Sequence, residues 1–310
     1  MDAIRAASAL AAAQYGVIRR DQALRCGVTG SVLRSLLRQG AWTRVCRDVC
    51  LVGEHTPATE RGRLLAAVMA AQLELGPAAF ASADTAARLW RLRGLPPWQG
   101  EVHMTLPAAG ARRGGPGVVV HSWATDPSEV TGCGLLRVTT PQRTLRDVLL
   151  GVDRATAVCL LDSALHRGLV RASELPGLAA ANAGRPGCTL SLLWWGLADG
   201  RARTPLETRI RLVCVDGGLP PDDLRHPFHD ARGRLLAVGG LWWEDRRLLV
   251  EADERDPPGP VGALPYDRRR TALELAVPGI RIARFTRSDL RRPDRVLAAV
   301  RQVHVRWPSP

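Results

Sequence analysis

The sequence predicts an α+β protein of more than one domain, on three grounds. The amino-terminal stretch reads as helix, helix, turn, helix and hairpin. The middle mixes helices with apolar runs separated by Gly and Pro, and the carboxy-terminal part reads as helix, three antiparallel strands, helix, strand, helix. At 310 residues with 46% hydrophobic content the chain is globular, with room for roughly two or three cores.

Taken in order, residues 3–14 form an Ala-rich helix that stops near Gly16. A short helix over Arg20–Arg25 carries Asp21 in its first turn. Cys26-Gly27-Val28-Thr29-Gly30 then turns the chain into a third helix, Ser31–Gln39. On that helix Leu33, Leu36 and Leu37 share one side, while Ser31, Arg34, Ser35 and Arg38 share the other. Trp42–Val45 and Val49–Val52 alternate as two strands around Arg47-Asp48, with Arg44 and Arg47 on this candidate wing. The order is that of a winged helix-turn-helix, which places the third helix in a DNA groove. Ser31, Arg34, Ser35, Arg38, Arg44 and Arg47 are the candidate DNA contacts. The plainer reading is a solvated face on a small helical unit.

Charge agrees with a polyanionic partner. The net charge is +13, and all 43 basic residues are Arg, since the sequence contains no Lys. Arg offers the planar fork that suits phosphate and guanine. Residues 1–50 alone hold eight Arg against three Asp. Seven scattered cysteines without a Cys-x-x-Cys pair argue against a disulfide framework or a zinc site. No signal peptide and no charge-free run of about 18 apolar residues is visible, so a reduced cytoplasmic location and no membrane partner are expected.

Helices are expected in 58–94, the second over Ser82–Arg93. Apolar runs follow at Val102–Leu106, Val118–Trp123 and Leu135–Thr139, then helices from Thr140-Pro141 to Leu150 and over Arg154–Val170. His103, His121 and His166 fall on different elements and read as structural. Gly184–Gly187 is the best linker candidate. The domain boundaries drawn from these signals are 1–55, 56–187 and 188–310.

The carboxy-terminal part carries the acidic candidates. Thr204-Pro205-Leu206-Glu207 opens a helix as a capping box, which is sufficient reason for Glu207. Residues 233–253 hold two apolar runs around Glu244-Asp245, predicted as a hairpin whose outgoing strand ends in Glu251 and Asp253 on one face. Adjacent carboxylates repel unless a proton or cation sits between them, so the pair is either a Mg²⁺ or Mn²⁺ site or a solvated strand end.

Two resemblances extend these readings. Tyr15-Gly16-Val17-Ile18-Arg19-Arg20-Asp21-Gln22-Ala23, Gly27-Val28-Thr29 and Leu36-Leu37-Arg38-Gln39-Gly40-Ala41-Trp42-Thr43-Arg44-Val45 resemble the winged-helix domain of AbiEi-family type IV antitoxins. Thr139-Thr140-Pro141-Gln142-Arg143-Thr144-Leu145-Arg146-Asp147 resembles the connector of the full-length proteins. The likeness implies a mixed α/β middle region, double-stranded promoter DNA as partner, autorepression, and a toxin gene product linked genetically. The family's Arg-Gly-Val-Tyr after the wing is here Arg47-Asp48-Val49-Cys50, and Asp48 carries the wrong charge toward phosphate.

Residues 204–290 resemble a domain of unknown function related to very-short-patch repair endonucleases, a branch of the PD-(D/E)XK fold. The carriers are Pro205-Leu206-Glu207-Thr208-Arg209, Gly218-Leu219-Pro220, Leu248-Leu249-Val250-Glu251-Ala252-Asp253, Arg269-Arg270 and Arg281-Ile282-Ala283-Arg284-Phe285-Thr286. The implied fold is a restriction-endonuclease-like α/β/α domain, with Glu207, Glu251 and Asp253 as candidate catalytic residues and Glu251 and Asp253 as metal ligands. The family's metal-binding strand Asp is Gly240 here, and glycine offers no ligand. The expectation is therefore a DNA-binding repressor with a degenerate nuclease domain. The alternative is an active Mg²⁺-dependent DNA endonuclease.

Overall fold

The computed structural model describes residues 2–107, 114–254 and 263–302, with backbone alone over 263–269. The chain is mixed α and β with several sheets, and it divides into two compact units, Met1–Gly151 and Val152–Pro310. Among the described residues no helix is long and apolar enough to cross a membrane.

The first unit opens with α1 (Asp2–Ala13), β1 (Val17–Arg19), α2 (Arg20–Arg25), α3 (Gly30–Arg38), β2 (Trp42–Cys46) and β3 (Val49–Val52). Small residues set how closely α1 packs: Ala7 and Ala11 are fully buried against Ile18, Ala23 and Leu33. Gly16 must be glycine, because its φ is +90° and an added Cβ would lie 2.6 Å from the His55 carbonyl oxygen. Strand β1 was not predicted. It is only Val-Ile-Arg, too short for a period, and it exists because β3 pairs with it antiparallel in the sheet order β1-β3-β2. Gln22 reaches back to the Arg19 amide at 2.9 Å to hold the start of α2, and Thr29 caps α3 by accepting from Val32 N at 3.3 Å.

Then come α4 (Glu60–Leu75), β4 (Phe80–Ala81), α5 (Ala83–Leu89), β5 (Val102–Thr105), β6 (Val118–His121), β7 (Val130–Cys133), β8 (Leu136–Thr139) and α6 (Pro141–Val148). The strands form one sheet in the order β6-β5-β4-β8-β7. Helix α4 covers it with Leu64, Val68, Met69 and Leu75, and the same core takes in Val17, Cys46 and Val49 of the first sheet. The amino-terminal elements and the five-stranded sheet therefore share one apolar interior. The predicted helix 82–93 stops earlier, at Leu89, where the chain turns through Arg91 at φ +55°.

The second unit holds α7 (Arg154–His166), α8 (Leu175–Ala180), α9 (Cys188–Ser191) with a 3₁₀ turn over Leu192–Leu197, α10 (Pro205–Asp216), β9 (Asp223–Leu224), β10 (Pro227–His229), β11 (Leu235–Val238), β12 (Leu241–Trp243), β13 (Leu248–Asp253), α11 (Ala263–Ala276), β14 (Arg281–Thr286) and α12 (Pro293–Gln302). Four strands form a sheet ordered β14-β13-β12-β9, in which β13 and β14 run parallel. Leu206, Ile210 and Cys214 of α10 pack with Val296 and Val300 of α12 against Leu241, Trp243, Leu248 and Val250. Leu273 of α11 packs on the opposite face with Trp242, Leu249 and Phe228. The Pro/Gly-rich stretch that the sequence places over 257–265, a loop by composition, lies largely outside the described residues.

The hairpin predicted over 233–253 is corrected in one respect. Its first run breaks at Gly239-Gly240, so β11 leaves to pair with β10 and only β12 pairs with β13. Both positions at the break need glycine for steric reasons. A Cβ on Gly239 would sit 2.5 Å from Leu249 Cδ1, and one on Gly240 would sit 2.6 Å from Val250 O.

One buried ion pair ties α7 to α10. Asp162, 1% exposed, accepts from Asp199 N at 2.6 Å, Thr208 Oγ1 at 2.8 Å and Arg211 Nη2 at 2.9 Å. Removing one member strands the other charge away from water. Asp162→Ala is expected to cost about 3–5 kcal/mol in urea unfolding, and replacing Asp162 and Arg211 together by apolar residues should recover most of that.

Candidate functional site

The arginine face of α3 follows from its sequence. Leu33 is buried and Val32, Leu36 and Leu37 are half-buried against the first core, which turns Ser31, Arg34 and Arg38 outward and leaves Ser35 half-buried. Ser31 Oγ shares a hydrogen bond with the cap Thr29 at 2.9 Å, and Gln39 donates to Ser35 at 3.2 Å. Arg44 and Arg47 on the β2–β3 hairpin are exposed as well. Arg34, Arg38, Arg44 and Arg47 make no ion pair with any described carboxylate, whereas Arg19 and Arg25 are both engaged by Asp21 at 3.4 and 3.0 Å. The Arg47 amide donates to Glu74 at 3.3 Å, which anchors the hairpin turn to α4. Asp48 is half-buried at the tip.

The carboxylate strand presents a different picture. Glu251 and Asp253 alternate along β13, and the parallel register sets Arg284 beside Glu251 and Thr286 beside Asp253. Asp253 is 6% exposed and ion-paired with Arg284. Gly240 lies against Glu251, the latter's Cα being 3.7 Å from where a Cβ would stand. Glu207 works locally: its carboxylate accepts from Arg203 N at 2.6 Å while its own amide donates to Thr204 Oγ1 at 3.2 Å. Among the described residues no three His, Cys, Asp or Glu side chains are gathered as a metal ion requires. As arranged, the residues do not fit a divalent cation: Asp253 already has its counter-charge, and the position expected to supply another ligand has no room for a side chain.

The structure also gathers residues that the sequence left scattered. Strands β5 and β6 pair in parallel, bringing His103 Nδ1 to 2.9 Å from His121 Nε2, with His121 stacked on Trp123 at 3.9 Å between centroids. His103 Nε2 faces Glu101 at 3.2 Å and Asp84 at 3.4 Å. His166, in the second unit, lies against Gly200 O at 3.3 Å. Each imidazole lies on a strand that the sequence marks as apolar-rich, but nothing in the sequence says that these two strands pair. All seven cysteines are free thiols. Burial, reinforced by Glu74, pushes the Cys46 thiol up to about 12, so it is neutral.

No family model matches this chain. Two uncharacterized proteins of Mycobacterium tuberculosis, from strains CDC 1551 / Oshkosh and ATCC 25618 / H37Rv, are similar to it. Each is 33% identical over 162 residues, or 52% of this chain. The match covers 59% of each relative, so the chain spans less than two thirds of their length.

Burial, and next the neighbouring His103, lowers the His121 pKa from its usual 6.5, against a smaller upward pull from Asp147, Asp84 and Glu101. The unfolded chain therefore binds this proton more readily than the folded one. The stability involved is complete above the ordinary imidazole value and is lost as pH falls through the lower folded value. Thermal melts between pH 7.5 and 5 should show Tm dropping with acid, and His121→Phe should flatten that slope.

Proposed function

We propose that the protein is a DNA-binding repressor of the autoregulatory or antitoxin-like kind, in which the amino-terminal elements act as a winged helix-turn-helix on double-stranded DNA. The observation that carries this reading is the set of four exposed guanidiniums with no ion partner among the described residues, two on α3 and two on the hairpin that follows it. Arg34 and Arg38 sit one helical turn apart on the outward side, where α3 would enter a major groove, while Arg44 and Arg47 would meet the flanking phosphates. A gel-shift titration against the DNA upstream of its own gene is the test. Arg34→Ala with Arg38→Ala should weaken binding by about 1–3 kcal/mol for each contact to a base, or make the salt dependence shallower by about one for each contact to phosphate. Absence of any shift at low salt would sink the proposal. A toxin gene product enters only by genetic linkage, and a nucleotidyltransferase-like neighbouring reading frame would favour it.

In this reading the second unit is a layered nuclease-like scaffold without cleavage chemistry. The competing reading, a Mg²⁺- or Mn²⁺-dependent endonuclease, draws on Glu251 and Asp253 sharing one face of β13. Plasmid incubated with protein and either ion should remain uncut, and Gly240→Asp alone should lower Tm without conferring nicking, because its Cβ meets Val250 O. Metal-dependent cleavage abolished by Glu251→Ala would establish the endonuclease instead.

A further inference from the structure

The first unit contains a cavity of about 250 Å³, open to solvent, between α4, the β2–β3 hairpin and the β5–β6 pair. Its existence has a sequence cause. Helix α4 turns Ala66, Ala67 and Ala70 toward it, so one face of the helix ends in methyl groups where longer side chains would close the space. Valines and Leu51 form much of the opposing wall. Arg63 stands one turn before Ala66 and Ala67, exposed, with Nη1 on the Ala58 carbonyl at 3.2 Å and no described carboxylate paired with it. The space exceeds the roughly 150 Å³ apolar cavity that takes up benzene in another protein.

We propose that this cavity is an effector site for a small aromatic monocarboxylate, whose ring lies on the alanine face of α4 and whose carboxylate meets Arg63. A monoanion is the matching occupant because the described lining residues are apolar apart from Thr56, the neutral Cys46 thiol and the Arg63 guanidinium.

The site is wired to the arginines of the hairpin. Strand pairing between β2 and β3 shifts register between Arg44 and Cys46, leaving Val45 as the bulged residue, and Val45 and Cys46 both line the cavity. Arg44 and Arg47 flank them directly, and α4 holds the Arg47 amide through Glu74. A ligand that presses on Val45 shifts the bulge and with it the two guanidiniums. This coupling rests on the DNA-binding reading above, whereas ligand binding itself does not.

Calorimetric titration of the full chain with 1-naphthoate and with its neutral isostere 1-naphthamide tests the site. Saturable one-site binding is expected, with the acid about tenfold tighter than the amide. Arg63→Gln should erase that preference and leave the amide unaffected. Ala67→Leu, its fold checked by thermal melting, should weaken both ligands more than about tenfold by filling the space. Saturating 1-naphthoate should move the gel-shift midpoint at least about threefold for the parent chain and not for Ala67→Leu. No saturable binding, no preference for the acid, or wild-type affinity in Ala67→Leu would overturn the site. Binding that leaves a measurable gel shift unmoved would overturn the coupling, and binding without any gel shift would overturn the repressor reading alone.

Discussion

The parallel pairing of β13 with β14 is the constraint on which the second unit depends. It places Arg284 of β14 within one strand spacing of the acidic end of β13, so that Glu251 has Arg284 as register partner and the buried Asp253 has it as ion partner. Asp253 is 6% exposed, so a charge there without a partner would be costly to hold away from water. Apolar residues on the two faces of the same sheet then recruit α10 and α12 on one side and α11 on the other. Charge compensation and layer packing are thus two consequences of one register.

In the first unit the corresponding constraint is the shared interior. Val17, Cys46 and Val49 of the three-stranded sheet bury into the same cluster as Met104 and Val138 of the five-stranded sheet, with α4 between them. A change along α4 is therefore felt on both sheets. Cys46 and Arg47 meet Glu74 near the end of that helix, and Ala66 and Ala67 face the cavity nearer its start.

Much of this was legible in the sequence where the signal is local. The outward face of α3 followed from the spacing of Leu33, Leu36 and Leu37, and Thr140 and Thr204 announce helix starts because a hydroxyl cap acts on an amide only a few residues away. What could not be read depends on pairing. Strands β1 and β4 have no period of their own and owe their conformation to β3, β5 and β8. The meeting of His103 with His121 and of Asp253 with Arg284 requires parallel neighbours to be known, and residue type says nothing about which strand lies alongside. The split of the predicted hairpin at Gly239-Gly240 is intermediate: the glycines were visible, but their steric reason lies in Leu249 and Val250.

Gly240 also bears on how much change the second unit tolerates. A Cβ there would lie 2.6 Å from Val250 O, and Arg284 is ion-paired with the buried Asp253. A side chain at 240 would force the strand to shift, while removal of the guanidinium would leave the charge of Asp253 uncompensated away from water. The packing thus limits what both positions can accept, so substitutions at this end of the sheet are coupled to one another.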